Sequence, residues 1–203
     1  MVKIKICGLT GERDTAAVNL YKPDYVGLVF APNSRRRLTI KRAAEICDML
    51  DGGIKRVGVF ADQSMGFINE AIQSCKLDVV QLHGSEASNF CSKFKGVEVW
   101  KAIRIKGCDD LKGLDAWPVD ALLLDGSMPG SGHALDWNLL HDIRVKNHII
   151  LAGGLNPYNV KTAIAVVQPY AVDVSSGVET DGYKDADKIR EFIEAVRGME
   201  DNE

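Results

Sequence analysis

Short runs rich in Val, Ile and Leu recur along this chain, and between them apolar residues return every three or four positions. The runs are Lys3 to Cys7, Tyr25 to Phe30, Arg56 to Ala61, Val79 to His83, Val97 to Ile103, Ala121 to Asp125, Ile149 to Gly153 and Ala171 to Ser175. Most are close to continuously apolar, the pattern of a strand covered by protein on both faces, as in a parallel sheet. Between runs, Ala43, Ala44, Ile46, Cys47 and Leu50 fall on one helical face, as do Ala186, Ile189, Ile193 and Val196. Eight such alternations predict an α/β fold, a single-domain (β/α)8 barrel spanning residues 1–203. An open doubly wound sheet is the alternative, but the glycine fingerprint it places after its first strand is missing after Cys7.

In such a barrel, functional groups gather at the C-terminal ends of the strands. Cys7 ends the first run just before Gly8, and Asp125 ends the sixth just before Gly126. A thiol and a carboxylate facing one mouth suit proton transfer, although a lone free cysteine more commonly just packs. Gly153-Gly154-Leu155-Asn156-Pro157 follows the seventh run, with Asn156 predicted as a helix N-cap and Pro157 as the first helical residue. Ser175-Ser176-Gly177 follows the eighth. A glycine turn is usually only a turn; two at adjacent strand ends predict a phosphate site, because they bare peptide N–H groups to an anion. No Lys or Arg lies between Lys161 and Lys184, so backbone amides and hydroxyls would have to hold that phosphate.

Three guanidinium groups, Arg35, Arg36 and Arg37, follow the second run. Such a run is ordinarily a solvated loop, but on this rim an arginine fork can also meet a substrate carboxylate. His83 lies on the same rim, either as a hydrogen-bonded structural residue or facing substrate. Lys101, inside the fifth run, is the candidate for a Schiff-base lysine of an aldolase, but it has no evident neighbour to depress its pKa.

Composition narrows the classes. Hydrophobic residues at 46% and charged residues at 26% fit an ordinary globular domain, and a net charge of −3 offers no field for nucleic acid or an anionic membrane. No apolar run approaches the roughly 20 residues of a membrane helix, and Met1-Val2-Lys3 leads directly into the first strand, so a cytoplasmic protein is expected. The five cysteines contain no C-x-x-C pair and the four histidines no H-E-x-x-H spacing, which predicts reduced thiols and no metal. Barrels of this size occur alone and in pairs, so a monomer or homodimer is expected.

Six segments in order resemble the phosphoribosylanthranilate isomerase family. They are Lys5-Ile6-Cys7-Gly8-Leu9-Thr10, Gln81-Leu82-His83-Gly84, Leu124-Asp125-Gly126, Gly130-Ser131-Gly132 with Asp136-Trp137, Gly153 to Val160, and Asp173-Val174-Ser175-Ser176-Gly177-Val178-Glu179. The resemblance implies an Amadori rearrangement of a phosphosugar–anthranilate substrate without redox chemistry or a cofactor. It implies Cys7 as general base, Asp125 as general acid and Arg36 as the clamp on the anthranilate carboxylate. His83, Gly153, Gly154, Asp173, Ser175, Ser176 and Gly177 are then the remaining substrate-binding residues. Ser131 and His133 stand where many relatives carry threonine and lysine. An ordinary cysteine, with a pKa of about 8.5, and an ordinary aspartate, near about 3.9, both start in the wrong protonation state at neutral pH. The site is therefore expected to lower the thiol's pKa, through a cationic neighbour or oriented peptide dipoles, and to raise the carboxylate's through partial burial.

Overall fold

The computed structural model describes residues 1–126, 136–141 and 143–199. Gly130-Ser131-Gly132 and His133 lie outside these described residues. Eight parallel strands pair in sequence order and close into a barrel: β1 (Lys3–Cys7), β2 (Tyr25–Val29), β3 (Lys55–Phe60), β4 (Val79–Leu82), β5 (Glu98–Arg104), β6 (Ala121–Asp125), β7 (His148–Ala152) and β8 (Ala171–Val174). The first and sixth coincide with the predicted runs. The others differ by about one residue at an end, because a strand stops where its neighbour's ladder stops and not where its own apolar run does.

Closure comes from β1 pairing with β8, which sets Lys5 opposite Asp173 and Ile6 opposite Val174. Side chains alternate across every strand. Ile4 and Ile6 turn outward into the layer between sheet and helices, whereas Cys7 turns inward to join Val57, Val79, Trp100, Leu123 and Ile150 inside the barrel. The interior floor is sealed by Trp100 against Tyr25, their rings edge-to-face with centroids 4.9 Å apart.

The outer layer contains α1 (Glu12–Tyr21), α2 (Ile40–Asp48), α3 (Met65–Cys75), the short α4 (Ser88–Cys91), α5 (Val160–Val167) and α6 (Ala186–Arg197). The predicted faces of α2 and α6 are buried through Ala43, Ile46 and Cys47, and through Ile189, Ile193 and Val196. Thr39 and Ser64 cap α2 and α3 by accepting from Arg42 N and Phe67 N. After β5, and among the described residues after β6, the expected α-helices are replaced by single 3-10 turns, Cys108–Leu111, Leu114–Ala116 and Trp137–Leu140. Gly107, Gly113 and Pro118 interrupt the first of these stretches, so no helical stripe can build there.

The start predicted for α5 also differs. The helix begins at Val160, and Asn156 instead caps the preceding turn, accepting from Tyr158 N and Asn159 N while Asn159 Oδ1 accepts from Asn156 N. Among the described residues, no helix is long and apolar enough to cross a membrane.

Candidate active site

A cavity of about 350 Å³ opens at the C-terminal ends of the strands. Cys7, Arg36, His83, Asp125, Gly153, Gly154, Asp173, Ser175, Ser176 and Gly177 all line it, so every predicted site residue converges on one space. Around the mouth, β7 and β8 separate Asp125 on β6 from Cys7 on β1, so the two glycine turns lie between the thiol and the carboxylate.

Cys7 is 8% exposed. The expected lowering of its pKa is not what the structure gives: burial pushes the thiol above the ordinary value, the Lys5 ammonium opposes that, and Asp173 adds to the rise. The space for the sulfur comes from β2: a Cβ on Gly27 would sit 2.6 Å from Cys7 Sγ. Gly27→Ala is therefore expected to displace the thiol, lowering kcat and costing about 1–3 kcal/mol of stability by overpacking. Urea unfolding with steady-state kinetics on the same preparation checks both parts.

On the opposite wall, His83 Nε2 lies 3.6 Å from Asp125 Oδ2, and the ring's Nδ1 meets the Gln81 amide nitrogen at 3.1 Å. With its amide nitrogen so placed, Gln81 donates to Nδ1 and leaves Nε2 facing the carboxylate. Gln81 is 1% exposed, and its Oε1 has no partner among the described residues. Rotating that amide would present its oxygen to Nδ1 instead.

The arginine run divides sharply. Arg35 and Arg37 are exposed, whereas Arg36 lines the cavity. Glu179 grips Arg36 bidentately, accepting from Nε at 2.7 Å and Nη2 at 2.6 Å, and also accepts from Arg35 and from Lys184 Nζ at 2.9 Å. Burial pushes the Glu179 carboxyl up, but the hydrogen bonds from Arg36 and Lys184 outweigh it and hold the group below its ordinary value.

Gly153 and Gly154 both take left-handed backbone conformations, φ 90° and 72°, which glycine adopts without a Cβ penalty. The Ser175 hydroxyl is engaged below the cavity, donating to the Cys7 carbonyl at 3.0 Å. Lys184 also donates to the Ser175 carbonyl, at 2.9 Å. A buried cation thus stands beneath the β8 turn although none lies near it in sequence. The hairpin of β9 (Glu179–Thr180) and β10 (Tyr183–Lys184) folds it back there.

Lys101 is not an active-site lysine. Its neighbours Trp100 and Ala102 face the barrel interior, so Lys101 faces outward, where its ammonium donates to Gly84 O at 2.6 Å and Glu86 Oε2 at 2.9 Å. Among the described residues, no group of three or more His, Cys, Asp or Glu side chains is placed to hold a metal ion. Sequence reasoning missed Lys5, Gln81, Glu179 and Lys184 as members of the site. The available signal was a charged or amide residue inside an otherwise apolar run, as at Lys5 and Gln81.

Residues 4–195 match the family model described as N-(5'-phosphoribosyl)anthranilate (PRA) isomerase. The chain belongs to this family. A Clostridium acetobutylicum protein named N-(5'-phosphoribosyl)anthranilate isomerase is 46% identical to it, covering 97% of this chain and 98% of that protein. The crystal structure of phosphoribosyl anthranilate isomerase from Thermotoga maritima superposes with a TM-score of 0.89 at 38% identity, covering 98% of this chain and all of that one. A further crystal structure of the isomerase, at TM-score 0.87 and 37% identity with the same coverage, is a complex with reduced 1-(o-carboxyphenylamino)-1-deoxyribulose 5-phosphate.

Proposed function

We propose that the chain converts N-(5-phosphoribosyl)anthranilate to 1-(2-carboxyphenylamino)-1-deoxyribulose 5-phosphate in tryptophan biosynthesis, by general acid–base catalysis. The observation that carries this reading is the convergence of Cys7, Asp125, Arg36 and two glycine turns on one cavity. The turns after β7 and β8 take the 5-phosphate, and Arg36 takes the anthranilate carboxylate. Asp125 gives a proton to the furanose ring oxygen, so the C1–O bond breaks and the anthranilate nitrogen's lone pair forms the C=N bond. The imine acidifies C2–H, and the Cys7 thiolate removes that proton to leave an enolamine. Loss of the C2 hydroxyl proton and protonation at C1 then give the aminoketose. Protons move and no electron acceptor is consumed, so the residues of the cavity suffice for the chemistry.

Adding the protein to N-(5-phosphoribosyl)anthranilate is expected to extinguish the substrate's fluorescence as the aminoketose forms, with EDTA present as well as without it. Persistence of substrate, or turnover only with added metal, would count against the reading. The pH dependence has a definite sign. The pKa of Cys7 is raised by burial, so kcat/KM should climb with pH until the thiol ionises, on the alkaline side of an ordinary cysteine. In an active Cys7→Ser variant that limb should vanish. An unchanged limb would name a different base.

A further inference from the structure

We propose that Lys5, held by Asp173, is the fixed counter-cation of the Cys7 thiolate, and so a positioning residue for the base. This rests on the reading of Cys7 as base and deepens it.

Strand alternation puts Lys5 and Cys7 on the same inward face of β1, two residues and one interior layer apart. The Lys5 side chain has no exposed surface, and the layers around it are otherwise largely apolar. Burying an ammonium there is costly, and a hydrophobic replacement of a buried pair is often as stable, so stability alone does not account for the charge. The ion pair is oriented by the sheet itself: Asp173 is the register partner of Lys5 across the β1–β8 seam, with Nζ 2.9 Å from Oδ1. Asp173 also lines the cavity, so the pair runs from the sealed interior to the floor of the site.

The other charges around Cys7 are differently committed. Lys184, from β10, is neutralised by Glu179 and donates to Ser175 O. Arg36, on the loop after β2, is gripped by the same Glu179. β2 itself presents Gly27 to the sulfur, and Asp125 and His83 stand on the far wall. Lys5 is therefore the cation that water cannot screen and that shares a strand with the thiol. Asp173 keeps it protonated: burial lowers the Lys5 pKa, but Asp173 and the thiol raise it by more.

The test is the pH dependence of iodoacetamide alkylation at Cys7, read by mass spectrometry of the Cys7 peptide, in the full chain. Lys5→Met, which is isosteric and neutral, is expected to raise the alkylation midpoint by about one pH unit or more, slowing reaction near neutral pH about tenfold. A folded Lys5→Met with the wild-type midpoint would overturn the proposal. If Lys5→Met does not fold, Lys5→Gln is read in the same way. Lys5→Arg, which keeps the charge, is expected to stay near wild type, and a rise as large as that of the neutral variants would also overturn it. The acidic limb of kcat/KM separates this proposal from the reading beneath it. If alkylation shifts in Lys5→Met and the limb does not, Lys5 tunes the thiol but Cys7 is not the titrating base.

Discussion

Replacing Cys7 by Ala, or Asp125 by Asn, is expected to cut kcat about a hundredfold to ten-thousandfold, the range over which a positioned acid or base contributes. Stability should change little in either case. Cys7 and Asp125 both sit where the barrel opens, and each borders the cavity on one side, so truncation there does not empty a sealed core. On the proposed reading, both substitutions remove a proton carrier while leaving the glycine turns and Arg36 in place, so KM should move much less than kcat. Steady-state kinetics paired with thermal unfolding checks the claim. Wild-type-like kcat in a folded variant removes that residue from the mechanism.

Arg36→Met is expected to do the reverse, raising KM about tenfold to a hundredfold with a smaller effect on kcat, because a carboxylate clamp acts in the ground state as well as the transition state. Glu179 already takes Nε and Nη2, so the fork is held from behind and what remains of the guanidinium borders the cavity. Arg35 reaches only Glu179 from an exposed position, and Arg37 is exposed and does not line the cavity. Met at either of those positions should therefore raise KM less than Met at Arg36. Kinetics of the three single variants decides it. A larger rise at Arg35 or Arg37 would assign the clamp to that neighbour.

The barrel was legible because its strands must be apolar on both faces, and eight short runs such as Ala121–Asp125 declare that without long-range information. The rim residues were legible for a related reason: a strand's last residue before a glycine turn has a defined place in this architecture. What stayed hidden depends on partners distant in sequence. Lys5 reads as an interruption of an apolar run until Asp173 arrives beside it, 168 residues away. Lys184 reads as remote from the glycine turns until the β9–β10 hairpin returns it beneath Ser175. Glu179 stood within a recognised segment, yet its hold on Arg36 spans 143 residues and leaves no local trace. Lys101 could be set aside from the sequence only for want of a depressing neighbour, since a lysine inside a strand can face either way and only the register settles which.

The seam between β1 and β8 carries a consequence for how the molecule comes into being. The first and the last strand of the barrel are ladder neighbours, so nothing synthesised before β8 can close the ring. Until residue 173 emerges, the ammonium of Lys5 has no carboxylate across from it, and an apolar interior formed around it would have to bury a bare charge. The nascent chain thus carries a built-in penalty against premature closure, removed only when its far end docks. The Cys7 thiol on the same strand acquires its surroundings at the same moment, so a chain halted before its eighth strand has neither the closed barrel nor the complete cavity.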